Sequence, residues 1–387
     1  MARLCVFLFL SLFVFSCSSD QPSDPGSTTE NQSTQENLIV VSYNVENLVD
    51  TKHDQKKGKD LNDWAFLPHE TEGKKEACGK ISYWRYRQEC FETDWTEKKL
   101  KIKLSQIADV FNENSLPHIL GLNEVENEKV VSKLAKVLGY EKFVVTDGPD
   151  ERGVDVALLY RSTDELELTL LDSKEHRVSK GELFKGNPTR NILEARFRIG
   201  DNHVTFFVNH WPSQGGPSSL RVAAAEVLAE RTRDIYKEFP GENLVAMGDF
   251  NTIPSDHPHP FHTILFKDDL FLDIHRLFQK SEEVSRKTKN SMPPGSYFYA
   301  PKMSWNLLDR FFIGQNLQDG NGAEVEVGSY RILAPKRMTE TTHYKSQSHY
   351  LRGSKVTGTP KAYNHNADSS SESGYSDHFP IRMEISL

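Results

Sequence analysis

Two short segments concentrate side chains able to hold a metal ion or a phosphate: residues 247–251 (M-G-D-F-N) and residues 375–379 (Y-S-D-H-F). Asp249 and Asn251 follow the apolar run 243–248 (N-L-V-A-M-G), which reads as a buried strand. Positions i and i+2 of a strand project to one side, so both side-chain oxygens aim at one spot. Asp377 and His378 stand where a last strand, 379–385, begins. Sites on α/β sheets form at strand ends. Carboxylate, carboxamide and imidazole in such places suit a hard cation and its phosphate-bearing substrate. Taken singly, G-D-F-N also reads as a turn, because Asp and Asn bond their own backbone, and S-D-H also reads as a cap.

Further segments of the same character favour a shared site. Residues 39–47 (I-V-V-S-Y-N-V-E-N) end an apolar, β-branched run in Asn44 and Glu46, again two positions apart. Residues 119–126 (I-L-G-L-N-E-V-E) place Glu124 at the close of a short strand introduced by Pro117. Residues 204–212 (V-T-F-F-V-N-H-W-P) stop a strand at Asn209 and His210. Asp309 lies inside the apolar strand 307–313 (L-L-D-R-F-F-I), where a carboxylate is costly unless paired. His378 is its candidate partner. Independent turns would not all select such side chains at one end of their strands.

The elements that must position these residues alternate strand with helix, which supports an α/β class in one large domain over residues 38–387. Leu100, Leu104, Ile107, Ala108 and Phe111 share a helical face. Val130, Val131, Leu134 and Leu138 share another, with Gly139 as the stop. A third helix spans about 218–236; Arg221 on it is within reach of the site, but reads better as one half of a surface salt bridge.

In order, N-V-E-N, N-E-V-E-N, N-H-W-P-S, G-D-F-N, L-D-R-F and S-D-H-F-P resemble the motifs of the endonuclease/exonuclease/phosphatase superfamily. The resemblance covers roughly residues 38–387. It implies a four-layer α/β sandwich, two packed mixed β-sheets flanked by helices, and a metal-dependent phosphoesterase. It does not imply which phosphoester, since this fold hosts many activities. Mapped onto this chain, it makes Glu124 the principal Mg²⁺ ligand, supported by Asn44 and Glu46, with Asp377 completing the metal shell and Mn²⁺ able to substitute. Asp249 then orients and deprotonates the attacking water, and Asn251 helps to hold that water or the phosphate. His210 donates to a phosphate oxygen, and His378 faces the phosphate, kept charged by Asp309. Asn209, Arg152 and Asp155 keep a purely structural alternative.

The N-terminus sets an expected address. Arg3, the apolar run 4–15 and Ser16-Cys17 read as a bacterial lipoprotein signal over residues 1–17, with Cys17 taken by lipid. Residues 18–37, rich in Ser, Thr, Pro, Gln and Asp, read as a flexible tether. The catalytic domain is thus expected outside the cytoplasm, held to a membrane through the lipid anchor, as a monomer. Cys78 and Cys90 remain, and an oxidising compartment predicts a disulfide between them. They sit in an insertion, about 51–95, whose Trp64, Tyr83, Trp84, Tyr86 and Trp95 suit either a wall of the substrate cleft or a small satellite core.

Net charge is −8, which argues mildly against strong non-specific binding of nucleic acid. Within an expected basic loop, about 315–374, residues 331–361 nevertheless carry seven basic side chains against Glu340 alone. Tyr330, Tyr344, Tyr350 and Tyr363 are interleaved or adjacent, a composition that suits a polyanion. The expected activity is Mg²⁺-dependent phosphodiester hydrolysis by an extracytoplasmic nuclease acting on nucleic acid. A phospholipid or sphingomyelin phosphodiesterase, or another phosphomonoesterase, is the second reading. A surface binding protein that has lost catalysis is the third. Residues 261–271 come nearest to a membrane-entry segment, and read better as amphipathic core.

Overall fold

The computed structural model describes residues 36–387, apart from 57–58, 112–115, 187 and 346–350. The expected leader, Cys17 and nearly all of the tether lie outside the described residues. Two mixed sheets make the frame. The first runs Glu324–Val325, Ile381–Ser386, Leu38–Leu48, Ile119–Val125, Asp155–Tyr160, Lys142–Val145, with Arg331–Ile332 also paired to Ile381–Ser386. The second runs Leu272–Asp273, Asp309–Ile313, Asn243–Asp249, Asn202–His210, Ile192–Ile199, Leu168–His176.

Each sheet has one parallel pair: Leu38–Leu48 beside Ile119–Val125, and Asn202–His210 beside Asn243–Asp249. These four strands are covered on both faces, which is why they read as nearly unbroken apolar runs. In the second sheet Phe206, Val208, Val245, Met247, Phe311 and Ile313 turn toward the first sheet. Their neighbours Phe207, Leu244, Ala246 and Phe312 turn the other way, under Ala224, Ala225 and Leu228 of helix Ser218–Glu238. The sheets approach closely where Gly121 faces Met247: a Cβ on residue 121 would stand 2.7 Å from the Met247 methyl carbon. Helices Glu97–Asp109 and Glu128–Leu138 cover the first sheet with Leu100, Leu104, Ile107, Val130, Val131 and Leu134. The second of these is capped by Asn127, which accepts from the Val130 amide at 3.0 Å, and stops at Gly139 in the left-handed region. The result is the expected four-layer sandwich.

Two local expectations change, and a third, residues 261–271 as core, holds. Arg221 is buried, not at the surface. Its guanidinium grips Asp256 through Nε to Oδ2 at 2.9 Å and Nη2 to Oδ1 at 2.6 Å, and donates to the Ser213 carbonyl at 2.9 Å. Burial is tolerated because nearly every N–H finds an acceptor. The basic stretch is not merely a loop: Thr339–His343 pairs antiparallel with Lys355–Pro360. Residues 261–271 are short, irregular helical turns that bury Phe261, Leu265, Leu270 and Phe271. In the insertion, helices Lys74–Lys80 and Trp84–Glu92 are joined by a Cys78–Cys90 disulfide, with Cα atoms 5.5 Å apart.

Candidate active site

Strand direction brings the polar ends together. The two parallel pairs finish side by side, Asn44 opposite Asn123 and Asp249 opposite His210. Asp309–Ile313 runs antiparallel to Asn243–Asp249, so its first residue, Asp309, lies opposite Asp249. Ile381–Ser386 runs antiparallel to Leu38–Leu48, so the preceding residues Asp377 and His378 reach the same end. The Ser376 hydroxyl stitches this segment down, donating to the Asn44 carbonyl at 2.7 Å and accepting from the His378 amide at 3.1 Å.

The backbone is distorted where these side chains gather. Glu46, Asn47, Glu124 and Asn251 have φ of 53°, 60°, 64° and 47°, a region that non-glycine residues seldom occupy. Strain of this kind is retained where the surroundings enforce it, and it clusters at functional sites. Gly248, φ 132°, permits a contact no other residue would: a Cβ there would overlap the Asn209 carbonyl oxygen. The approach sets Asp249 beside His210.

Asp249 is held from several directions. Its Oδ1 accepts from the Asn251 amide at 2.8 Å, and its Oδ2 from the Asn251 side chain at 3.0 Å and the Asn44 side chain at 3.2 Å. Asn123 joins the two sheets, accepting from the Asp249 amide at 3.2 Å and donating to the Asn209 carbonyl at 2.7 Å. Burial pushes the Asp249 carboxyl up to about 7, against the pull of His378. Two imidazoles face this carboxylate: His210 Nε2 lies 3.7 Å and His378 Nε2 3.9 Å from Oδ2. His210 Nε2 is also 3.7 Å from Glu124 Oε1.

The two histidines differ in charge. Burial would push His378 down, but Asp309, 2.7 Å from Nδ1, and Asp377 outweigh it and hold His378 protonated, well above the ordinary histidine range. Burial, with Arg190 and Arg152 nearby, pushes His210 well below that range and keeps it neutral. Arg190 supports the His210 backbone, donating to its carbonyl at 3.1 Å and to that of Trp211 at 2.6 Å.

The candidate metal ligands are oxygen groups, as a hard divalent cation requires. Glu124 accepts from the Asn47 amide at 3.1 Å and the Asn44 side chain at 3.1 Å. Glu46 commits Oε2 to the amides of Tyr363, at 2.6 Å, and Asp377, at 2.8 Å, so it orders Asp377 as much as it offers an oxygen. Burial, then the neighbouring Asp377, raises Glu46 well above the usual carboxylate range, and burial likewise raises Asp377. Glu46, Glu124 and Asp377 supply the oxygen ligands a divalent cation takes, with Lys103 and His378 the positive charges already beside them. Asn44, expected as a supporting ligand, turns its N–H₂ between Glu124 and Asp249 and its oxygen to the Glu46 amide at 3.0 Å. It bridges the acids because two carboxylates attract the donor end of an amide.

Some residues had no place in the sequence reading. Lys103 is fully buried beneath the site, donating to the Glu46 carbonyl at 3.1 Å and the Tyr375 carbonyl at 3.3 Å, its ammonium 3.8 Å from the centre of the Tyr363 ring. Burial pulls it down to about 8 although Glu46 and Asp377 oppose this. A usable signal existed, because Lys103 falls three and four positions from Leu100 and Ile107, on the apolar face. Asp50, Asp54 and Glu126 form a separate acidic cluster, ligand atoms within 4.8 Å of one another, to which the Asn127 side chain donates. Asn209 and Asp155 are structural: Asn209 accepts from the Trp211 indole at 3.0 Å, and Asp155 accepts from the Thr146 hydroxyl at 2.7 Å and the Gly148 amide at 2.8 Å. The case for a polyanion on residues 331–361 weakens. Tyr330 and Tyr363 are buried, Arg337 is paired with Asp109 at 2.7 Å, and Tyr350 lies outside the described residues.

A family model described as the Endonuclease/Exonuclease/phosphatase family matches residues 39–386. No curated protein matches the chain in sequence. Among solved structures, a humanized D. rerio TDP2 carrying 14 mutations superposes with TM-score 0.51 at 13% identity, over 91% of this chain and 99% of that one. An endonuclease/exonuclease/phosphatase from Bacteroides vulgatus superposes with TM-score 0.50 at 12% identity, again over 91% and 99%. At such identities the structures speak to the fold, and the family match speaks to the chemistry. The chain belongs to the endonuclease/exonuclease/phosphatase family, and is a metal-dependent phosphoesterase.

Proposed function

We propose that this protein is a Mg²⁺-dependent phosphodiester hydrolase acting outside the cytoplasm, and that its substrate is nucleic acid. The observation that carries the chemistry is the convergence of His210 Nε2 and His378 Nε2 on Asp249 Oδ2, beside Glu124. A phosphodiester resists attack because its charge repels the nucleophile and its leaving alkoxide is poor, so charge must be neutralised and water activated. Glu124 and Asp377, with the free oxygen of Glu46, would hold the cation, which neutralises phosphoryl charge when bound. Asp249, fixed by Asn251 and Asn44, takes the proton of the attacking water. Protonated His378 and the Nε2–H of neutral His210 donate to the phosphate oxygens. Asp309 holds His378 by Nδ1, leaving Nε2 directed at the substrate.

The disulfide between Cys78 and Cys90 supports an oxidising compartment, and so supports export and a lipid anchor at Cys17. Nucleic acid is favoured over phospholipid by Arg152, whose guanidinium, though paired with Asp150 at 3.0 Å, stays half exposed beside the site. Arg190 is buried and spent on Asp150 and the His210 and Trp211 carbonyls. Activity on plasmid DNA, RNA, sphingomyelin and a bis-aryl phosphodiester, with and without Mg²⁺, tests the reading. Mg²⁺-dependent cleavage of DNA or RNA with sphingomyelin untouched is expected. Cleavage of sphingomyelin alone would replace nuclease by phospholipase, and turnover of none would favour a binding protein.

A further inference from the structure

The insertion divides into an inner and an outer part. Trp95 is fully buried, and Trp64 stacks on His53 with ring centroids 3.9 Å apart. These two are structural. Tyr83 and Tyr86, one helical turn apart at the start of helix Trp84–Glu92, are 47% and 63% exposed. Their rings meet edge to face at 5.0 Å, and the disulfide ties this helix to its neighbour.

Cavities link these tyrosines to the catalytic rim. One of about 320 Å³ lies between Tyr86 and Asn47, the residue after Glu46, with Phe66, Asn62 and Arg152 on its walls. A second, about 470 Å³, continues outward past Asn62, Tyr83 and Tyr86. A third, about 360 Å³, leads from Asn62 and Arg152 to Arg190, whose side chain supports His210. Asn62 borders all three, so they form one shelf leading away from the site.

We propose that Tyr83 and Tyr86, with Arg152 at the inner end, form a stacking subsite for the bases of a single strand leading away from the scissile phosphate. This rests on the nuclease reading for what occupies the cleft. The chemistry is that of single-strand platforms, in which aromatic faces take bases and alternating cations take the backbone. Residues 83–87 read Y-W-R-Y-R, and residues 74–92 hold five basic side chains against three acidic, within a chain of net charge −8. A stapled helix presents its rings with little conformational entropy left to lose on binding. Arg152, paired with Asp150 at 3.0 Å yet half exposed, is the cation at the inner end. Asp150, Glu151 and Glu89 also line the shelf, so the tyrosine faces rather than charge carry the binding.

The test is binding of a labelled oligothymidylate to the full chain, by fluorescence anisotropy without divalent metal so that nothing is cleaved. Y83A/Y86A is expected to raise Kd about tenfold, since loss of stacking is felt at each base. F91A, an exposed aromatic that lines neither cavity of the helix pair, is expected to leave Kd unchanged. An abasic strand of equal length is expected to bind wild type and Y83A/Y86A alike. Unchanged Kd in Y83A/Y86A, equal weakening by F91A, equal weakening on the abasic strand, or no binding by wild type would each overturn the subsite. Cleavage is scored separately with Mg²⁺. Wild type that binds through the two tyrosines yet cleaves no nucleic acid upholds the subsite and sinks the nuclease reading. Cleavage indifferent to the tyrosines does the reverse.

Discussion

Asp249→Asn is expected to lower kcat by about 10²–10⁴-fold, the range lost with a positioned general base. The substitution keeps shape and two of the polar contacts, so the loss falls on proton transfer. Thermal unfolding is expected to move little, because burial already disfavours the charge on residue 249 and its neutral form is no stranger to the site. An amide also meets the facing imidazoles without a clash of sign. Near-wild-type turnover in this variant would contradict the assignment of Asp249. A large drop in unfolding temperature would instead make the residue a structural one.

The second large effect is expected at the buried pair behind the phosphate position. His378→Ala removes a cationic donor and is expected to cost about 10²–10⁴-fold in kcat. Asp309→Asn is expected to cost a similar amount without touching substrate. Asp309 is fully buried and its carboxylate meets His378 Nδ1 at 2.7 Å, so an amide there removes the charge that keeps the ring protonated. Because the two act as one unit, the double variant is expected to be no slower than His378→Ala alone. Losses that multiply across the double-mutant cycle would show that Asp309 and His378 work separately.

The site was legible because its residues contradict their surroundings. Asn44, Glu124, His210, Asp249 and Asp377 each follow or precede an apolar strand where packing would choose otherwise, and six such segments share one order. The polar residues at these strand ends were legible even where the bounds moved: the strand read as 379–385 is Ile381–Ser386, and the one read as 307–313 begins at Asp309 itself. What was not legible depends on partners distant in the chain. Arg337 looks like a free charge until Asp109 is folded against it, and the Arg221 pair needs Asp256. Lys103 hides in K-K-L-K-I-K, where a lysine more is no signal by composition, and only its place on the helix face betrays burial. Asn123 has the same difficulty. Its work is to join two sheets, and no single strand shows where the other sheet will lie. The insertion's aromatics divide into buried and exposed sets for the same reason.

Metal dependence is the claim on which the rest stands, and Glu124 is the group expected to carry it. The most direct measurement is hydrolysis of a single-stranded oligonucleotide by chelator-treated protein as Mg²⁺ is added back. Turnover is expected to be absent in chelator and to return along a saturating curve, with Glu124→Gln shifting that curve to higher Mg²⁺. Full turnover in chelator, or a curve that Glu124→Gln leaves in place, would contradict the account.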